Sequence, residues 1–203
     1  MRYFVTGIDT NIGKTVVSAI LVEALAANYW KPIQSGDLEY SDSNTIETLT
    51  SKRIIIYPES FRLKLPASPH LSAKKEGKEI RLSQLVPPTS TQLVIEGAGG
   101  VLVPINENGN YISDIIPYCD AEIILVVKHY LGSINHTLLT IAYLQSKNLT
   151  IKGIVVTGDK DEETENIITK NTGVPFLFHV PITQNLDKKF IKEQARLIYP
   201  ILI

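Results

Sequence analysis

Residues 4–19 read FVTGIDTNIGKTVVSA. An apolar run stops at Gly7, a polar loop follows, and Gly13-Lys14-Thr15 opens into a stretch rich in Ala, Val and Leu. Strand, glycine loop, Gly-Lys-Thr and helix, in that order, is the pattern of a phosphate-binding loop. Glycines let the backbone wrap closely round phosphate, and loop N–H groups with the helix N-terminus supply partial positive charge. Lys14 can reach the terminal phosphates, and the Thr15 hydroxyl can ligate Mg²⁺. Five residues, not the usual four, separate Gly7 from Gly13, and one of them is Asp9. A carboxylate facing a bound triphosphate is unfavourable. Asp9 is therefore expected to point away, bonding loop N–H groups or organising the water around Mg²⁺; a purely loop-shaping Asp explains it equally well.

Working outward, apolar runs alternate with helical patterns. Strands are expected at 2–7, 92–97, 121–128, 151–158 and 174–181, and helices at 14–27, 133–147, 161–173 and 186–197. AEIILVVK, residues 121–128, has the unbroken apolar character of a central parallel strand. Ser133 is a plausible N-cap for its helix. A short strand must end near Lys31, and five prolines between 58 and 91 leave room for one short helix at about 69–76. The helix expected before QLVIEG is squeezed into 82–91 and interrupted by Pro87-Pro88. This rhythm predicts an α/β fold: a doubly wound, mostly parallel sheet with helices on both faces, P-loop NTPase-like, as one domain over 1–203.

Composition narrows the function classes. Of 203 residues, 44% are hydrophobic and 20% charged, as in a globular protein with a substantial core. A formal net charge of −1 gives no electrostatic reason to expect nucleic acid or an anionic membrane. Cys119 stands alone, which fits a reducing compartment. The N-terminus offers only YFV before a Thr-Gly break, too little for a signal-peptide core, and no run approaches a membrane span. The expectation is a cytoplasmic protein. His70, His129 and His179 show no metal-ligand spacing, His136 reads as a packing or surface histidine rather than a base, and Cys119 reads as a packed thiol.

In a doubly wound sheet ligands bind at the carboxyl ends of strands. Lys31 opens KPIQSG at one such end, where an ammonium beside a phosphate loop can neutralise charge on a transferred phosphoryl group. Glu96 ends an apolar strand in VIEGAGG, where a carboxylate can hold Mg²⁺ opposite Thr15, and the glycines after it permit close backbone approach to a ligand. Asp42, in YSDSN, reads by itself as a turn or N-cap residue.

VTGIDTNIGKT, KPIQSG, PASPHLSA, VIEGAGG, VPI and LGSINHTLLT occur in this order over about residues 3–182. Together they resemble the dethiobiotin synthetase family, whose members carry the longer loop G-x-D-T-x-x-G-K-T. The resemblance implies an ATP-dependent ring closure: 7,8-diaminopelargonic acid (7,8-diaminononanoate) is carbamated by CO₂, the carbamate attacks the γ-phosphate of ATP, and the second amine closes the ring. It implies Mg²⁺ on Thr15, Asp42 and Glu96, and catalytic roles for Lys14, Lys31, Thr10 and Ser35. The nucleotide would lie on Asp9, Asn11, Ile12, Gly13, Lys14, Thr15 and Val16. Thr157, Val180, Pro181, Ile182 and Asn185 would frame the base. A homodimer is implied, in which Gly132, Ser133 and Asn135 begin the helix whose N-terminus receives the substrate carboxylate, with Ser35 also near the substrate.

Two positions depart from the family. Asn11 stands where many members carry an acidic residue, and Thr157 stands where many carry an Asn that reads the adenine edge. Threonine has one hydroxyl in place of an amide's paired donor and acceptor, so base selectivity stays open. The rival classes are another ring-closing ligase on this scaffold and a switch ATPase of the partition type. The latter commonly carries a second lysine early in the loop, absent between Gly7 and Gly13.

Overall fold

The computed structural model describes residues 1–202. Seven strands form one sheet: Ile56–Tyr57 (β4), Asn28–Trp30 (β2), Leu93–Gly100 (β6), Arg2–Gly7 (β1), Glu122–Val127 (β7), Ile151–Thr157 (β8) and Phe176–Val180 (β9), in that spatial order. Every pairing is parallel, so all carboxyl ends open on one edge. Ile33–Ser35 (β3) and Phe61–Leu63 (β5) make a second, two-stranded parallel sheet beside it.

Alternation divides the strands between two cores. Tyr3, Val5, Ile124 and Val126 face one way, against Val17, Ile20 and Leu21 of Lys14–Leu25 (α1) and Ile191 and Ile198 of Lys188–Leu202 (α7). Phe4, Ile95 and Ile123 face the other way, against Leu144 of Ser133–Ser146 (α5). Leu125, Val127 and Ile154 pack on Ile141 of α5 and Ile168 of Glu162–Thr172 (α6). Each fully buried aliphatic or aromatic side chain contributes about 1.5–3 kcal/mol, and helices cover both faces as the sequence predicts.

Several elements depart from expectation. Asp42 lies in neither a turn nor a cap: it is the first residue of a helix, Asp42–Leu49 (α2), capped by Ser41, whose backbone N–H and hydroxyl both reach Asn44 Oδ1. The N-cap of α5 is Gly132, not Ser133, because the chain enters at φ 103°, a conformation that favours glycine. The squeezed helix at 82–91 shrinks to one 3₁₀ turn, Leu82–Gln84, as the following prolines require. The last helix runs past 197 to Leu202, through Pro200, because Ile191, Ala195, Ile198 and Leu202 keep a buried stripe. Pro69–Lys75 (α3) forms where a short helix is expected, and Ile116–Cys119 (α4) is an added single turn.

Candidate active site

Register builds the site. On β2, Trp30 pairs with Ile95 of β6. The next residue on each strand is Lys31 and Glu96, so the pairing sets a lysine beside a glutamate. Pro32 lacks an N–H and prevents β2 from continuing. On the other flank of β6, Val5 of β1 pairs with Glu96, bringing the phosphate loop alongside. Gly13 sits at φ 87°, and a Cβ there would stand 2.7 Å from Thr157 Cγ2. Only glycine lets the loop turn into α1 against that neighbour.

Four side chains converge at the loop. The Thr15 hydroxyl lies 2.9 Å from Glu96 Oε1 and 3.0 Å from Asp42 Oδ1. Lys31 Nζ donates to Glu96 Oε1 at 3.1 Å and pairs with Asp42 Oδ2. Glu96 is 1% exposed and Lys31 5%. Burial alone would depress the Lys31 ammonium, but Glu96 and Asp42 outweigh it and hold it above the ordinary lysine value. Lys14 differs. Burial outweighs its more distant carboxylates and pushes it down to about 8, while its Nζ donates to the Asp9 carbonyl at 2.7 Å. Asp9 turns its carboxylate back on the loop, Oδ1 accepting from the Thr10 N–H at 2.7 Å.

A cavity of about 760 Å³ opens here. Thr10, Asn11, Gly13, Lys14, Thr15 and Val16 form its loop side, and Lys31, Ser35, Asp42 and Glu96 its floor. Gln34, Asp37, Pro66 to Pro69, Ala98, Gly99 and Val103 complete its lining, with Gly99 next to Thr10. Ser35 Oγ is buried with no protein partner, as a hydroxyl kept for a ligand would be. Those predicted residues therefore come together.

The others stand outside the cavity. Thr157 donates to the Ile12 carbonyl at 2.8 Å, so its proton is spent on the loop. Its neighbour Gly158 donates to the Val180 carbonyl at 2.8 Å, and Val180 is buried while Pro181, Ile182 and Asn185 are exposed beyond it. Thr157 stands against Gly13, and its strand lies on the flank of β1 opposite β2. Gly132 and Asn135 lie exposed at the start of α5. Ser133 is buried, its Oγ accepting from the Tyr130 N–H at 3.3 Å.

Two buried residues escaped the sequence reading. Tyr29 donates its hydroxyl to Glu96 Oε2 at 3.0 Å. Gln34 donates to the Gly36 carbonyl at 3.1 Å and accepts, at 3.4 Å, from the Asp42 N–H, orienting the start of α2. Gln34 was legible only as part of KPIQSG, and Tyr29 carried no signal beyond its place in a short strand.

Solved structures share the fold alone. The cell division ATPase MinD of Pyrococcus furiosus superposes with a TM-score of 0.60 at 15% identity, covering 98% of this chain and 99% of that one. A ParA family ATPase from Chlorobium tepidum gives 0.54 at 16%, covering 99% and 91%. Residues 1–189 match the AAA domain family. Sequence relatives are far more specific. The ATP-dependent dethiobiotin synthetase BioD of Cytophaga hutchinsonii is 51% identical over 197 residues, 96% of this chain and 95% of the relative. The protein of that name from Christiangramia forsetii is 45% identical over 195 residues, covering 95% and 93%. That from Agrobacterium fabrum is 44% identical over 183 residues, covering 89% and 86%. Identity of this order, sustained from one end of the chain to the other, makes it a member of the ATP-dependent dethiobiotin synthetase family.

Proposed function

We propose that this chain closes the ureido ring of dethiobiotin from 7,8-diaminopelargonic acid (7,8-diaminononanoate) and CO₂ at the expense of ATP, a step of biotin biosynthesis. The observation that carries this is the 51% identity to a synthetase of that name over nearly the whole of both chains. One amine of the diamine adds to CO₂, loses a proton and becomes a carbamate. A carbamate oxygen attacks the γ-phosphorus, and ADP leaves. The second amine attacks the carbonyl carbon of the carbamic-phosphoric anhydride, phosphate leaves, and the cyclic urea closes.

Attack of a carbamate on triphosphate brings like charges together, so positioning and neutralisation are the chain's main tasks. Lys14 and Lys31 offset that repulsion. Thr10 and Ser35 hold the reacting groups in line, a reading supported by the unpartnered Ser35 hydroxyl in the cavity. Asp9, Asn11, Ile12, Gly13 and Val16 complete the phosphate cradle, and Thr157, Val180, Pro181, Ile182 and Asn185 frame the base. The donor set at Thr15, Asp42 and Glu96 is all oxygen and two-thirds anionic, which suits Mg²⁺, and a cation from Lys31 already lies against both carboxylates. Bound there, Mg²⁺ would supply further neutralisation at the phosphate oxygens.

The substrate carboxylate goes to the N-terminus of α5 of a second copy, through Gly132, Ser133 and Asn135. Leu131 and Ile134 are exposed at that end of the helix and Leu139 at its middle, and apolar side chains left open to water support a homodimer. No described helix is long and apolar enough to cross a membrane, and the unpaired, buried Cys119 fits a cytoplasmic setting.

The test is phosphate release from Mg-ATP, with and without the diamine and bicarbonate, with mass detection of the product. Diamine-dependent release with a dethiobiotin mass is expected. Release that ignores the diamine would overturn the reading and favour a switch ATPase.

A further inference from the structure

Glu96 divides its two oxygens between two environments. Oε1 faces the site, 2.9 Å from the Thr15 hydroxyl and 3.1 Å from Lys31 Nζ. Oε2 faces the interior and accepts from the Tyr29 hydroxyl at 3.0 Å. Tyr29 and Glu96 are 0% and 1% exposed, so water does not compete for that bond. Tyr29 lies two residues before Lys31, on the same face of its strand by alternation, and its ring packs in the core with Val94 and Ile46. The ring is fixed by packing, and its hydroxyl fixes the carboxylate. A buried carboxylate with one oxygen unpartnered would rotate or protonate. With Oε2 anchored, Oε1 is held toward Thr15.

We infer that Tyr29 is a positioning residue: its hydroxyl orients Glu96 so that Oε1 is presented to a divalent cation beside Thr15. This rests on the reading of Glu96 as a metal-binding carboxylate. Groups that hydrogen-bond a metal-ligating carboxylate typically affect metal affinity about 10–100-fold.

The experiment measures Mn²⁺ binding to the ADP-loaded protein by electron paramagnetic resonance, so no turnover is required. Tyr29→Phe keeps the ring and removes only the hydroxyl. It is expected to weaken Mn²⁺ about tenfold while leaving metal-free ADP affinity unchanged. Tyr3→Phe is the control, since Tyr3 is a second core tyrosine whose hydroxyl, among the described residues, bonds the Leu202 carbonyl, at 3.3 Å; its Mn²⁺ affinity should equal that of the unaltered chain. Glu96→Gln tests the underlying reading and should weaken Mn²⁺ strongly. In the Glu96→Gln background, Tyr29→Phe should cost nothing more, because its effect runs through the carboxylate. Weakening by Glu96→Gln with none by Tyr29→Phe overturns the role of Tyr29 alone. An additive loss in the double variant also overturns it, pointing to general packing. No weakening by Glu96→Gln overturns the metal reading and this inference together. If Tyr29→Phe does not fold, the hydroxyl serves stability rather than position, and the inference fails.

Discussion

Lys31→Met removes an ammonium and keeps an apolar stem of similar length. In the unaltered chain that ammonium lies against Asp42 and Glu96, with Lys31 5% and Glu96 1% exposed. Removing one member of a buried pair costs about 3–5 kcal/mol, since the remaining charges lose their counter-ion. The Asp42 side chain is 30% exposed, and water recovers part of that cost, so about 3 kcal/mol is expected. For a chain of this length the loss corresponds to a Tm lowered by about 6–12 °C in metal-free buffer. The pH sign is definite. Lys31 is raised above its ordinary 10.5, so its contribution is complete below that value and is lost only as pH rises through the raised one. The difference in Tm between the two proteins should therefore be flat from about pH 6 to 9. Mg²⁺ should narrow the difference, because a divalent cation supplies the variant's carboxylates with the charge they lack. In the unaltered chain it must displace an ammonium. The assay is a thermal melt in chelator and in excess Mg²⁺. A Tm within about 2 °C of the unaltered protein without metal, or equal Mg²⁺ responses, would refute the reasoning. The same variant should lose ring closure while keeping nucleotide affinity, and equal loss of both would move Lys31 into ground-state ATP binding.

Thr157→Val keeps the shape that packs on Gly13 but loses the bond to the Ile12 carbonyl. Nucleotide affinity should fall by ~1 kcal/mol, roughly fivefold, and Thr157→Ser should restore it; equally weak Val and Ser variants would show that the hydroxyl is not what matters. Cys119 is fully buried, and burial, only partly offset by Arg2, pushes its thiol up to about 12. That contribution to stability is complete below the ordinary value of 9 and is lost as pH climbs toward 12. A thiol reagent at about pH 8 should leave the native chain unmodified and label it on unfolding, and fast native labelling would contradict the burial. Leu131→Asp places a charge at a fully exposed leucine, so it should halve the mass seen by sedimentation while leaving the melt of the single chain little changed. An unaltered sedimentation profile would remove α5 from the subunit contact.

The central strands, the phosphate loop and α1 were legible because their signals are local: unbroken apolar runs, glycines at fixed spacing, and helical periodicity. The helix at Asp42 was not. Only Ile46 and Leu49 of its eight residues are buried, too few to make a stripe, and its capping box uses Asn44 where the familiar signature has Glu or Gln. The small sheet of β3 and β5 has three residues in each strand, too short for alternation to show. Tyr29 was illegible for another reason. Its partner is 67 residues away, and only the register of two strands brings them together. Residue types at strand ends could therefore be read as candidates, while their pairing depended on the sheet.

The fold cannot decide between a ligase and a switch, since MinD and ParA ATPases share it. Both classes need a phosphate cradle, and the physics of Gly13, Lys14 and Thr15 serves either. What separates them is the fate of the activated phosphoryl group. A switch lets water take it and uses the energy to move an element. A ring-closing ligase must deliver it to a carbamate and then hold water off the mixed anhydride until the second amine attacks. Here Pro66, Ala67, Pro69, Ala98, Gly99 and Val103 bring apolar lining to the cavity beside the polar Gln34, Ser35, Asp37 and Ser68. The residues expected to grip the substrate carboxylate lie outside that cavity, at the start of α5, where Gly132 and Asn135 are exposed and Ser133 is buried. On the proposed reading one arrangement accounts for both facts: α5 of a second copy covers the diamine, burying Leu131 and Ile134 as it excludes water. The subunit contact is then part of the chemistry, and a chain held as a monomer should hydrolyse ATP without closing the ring.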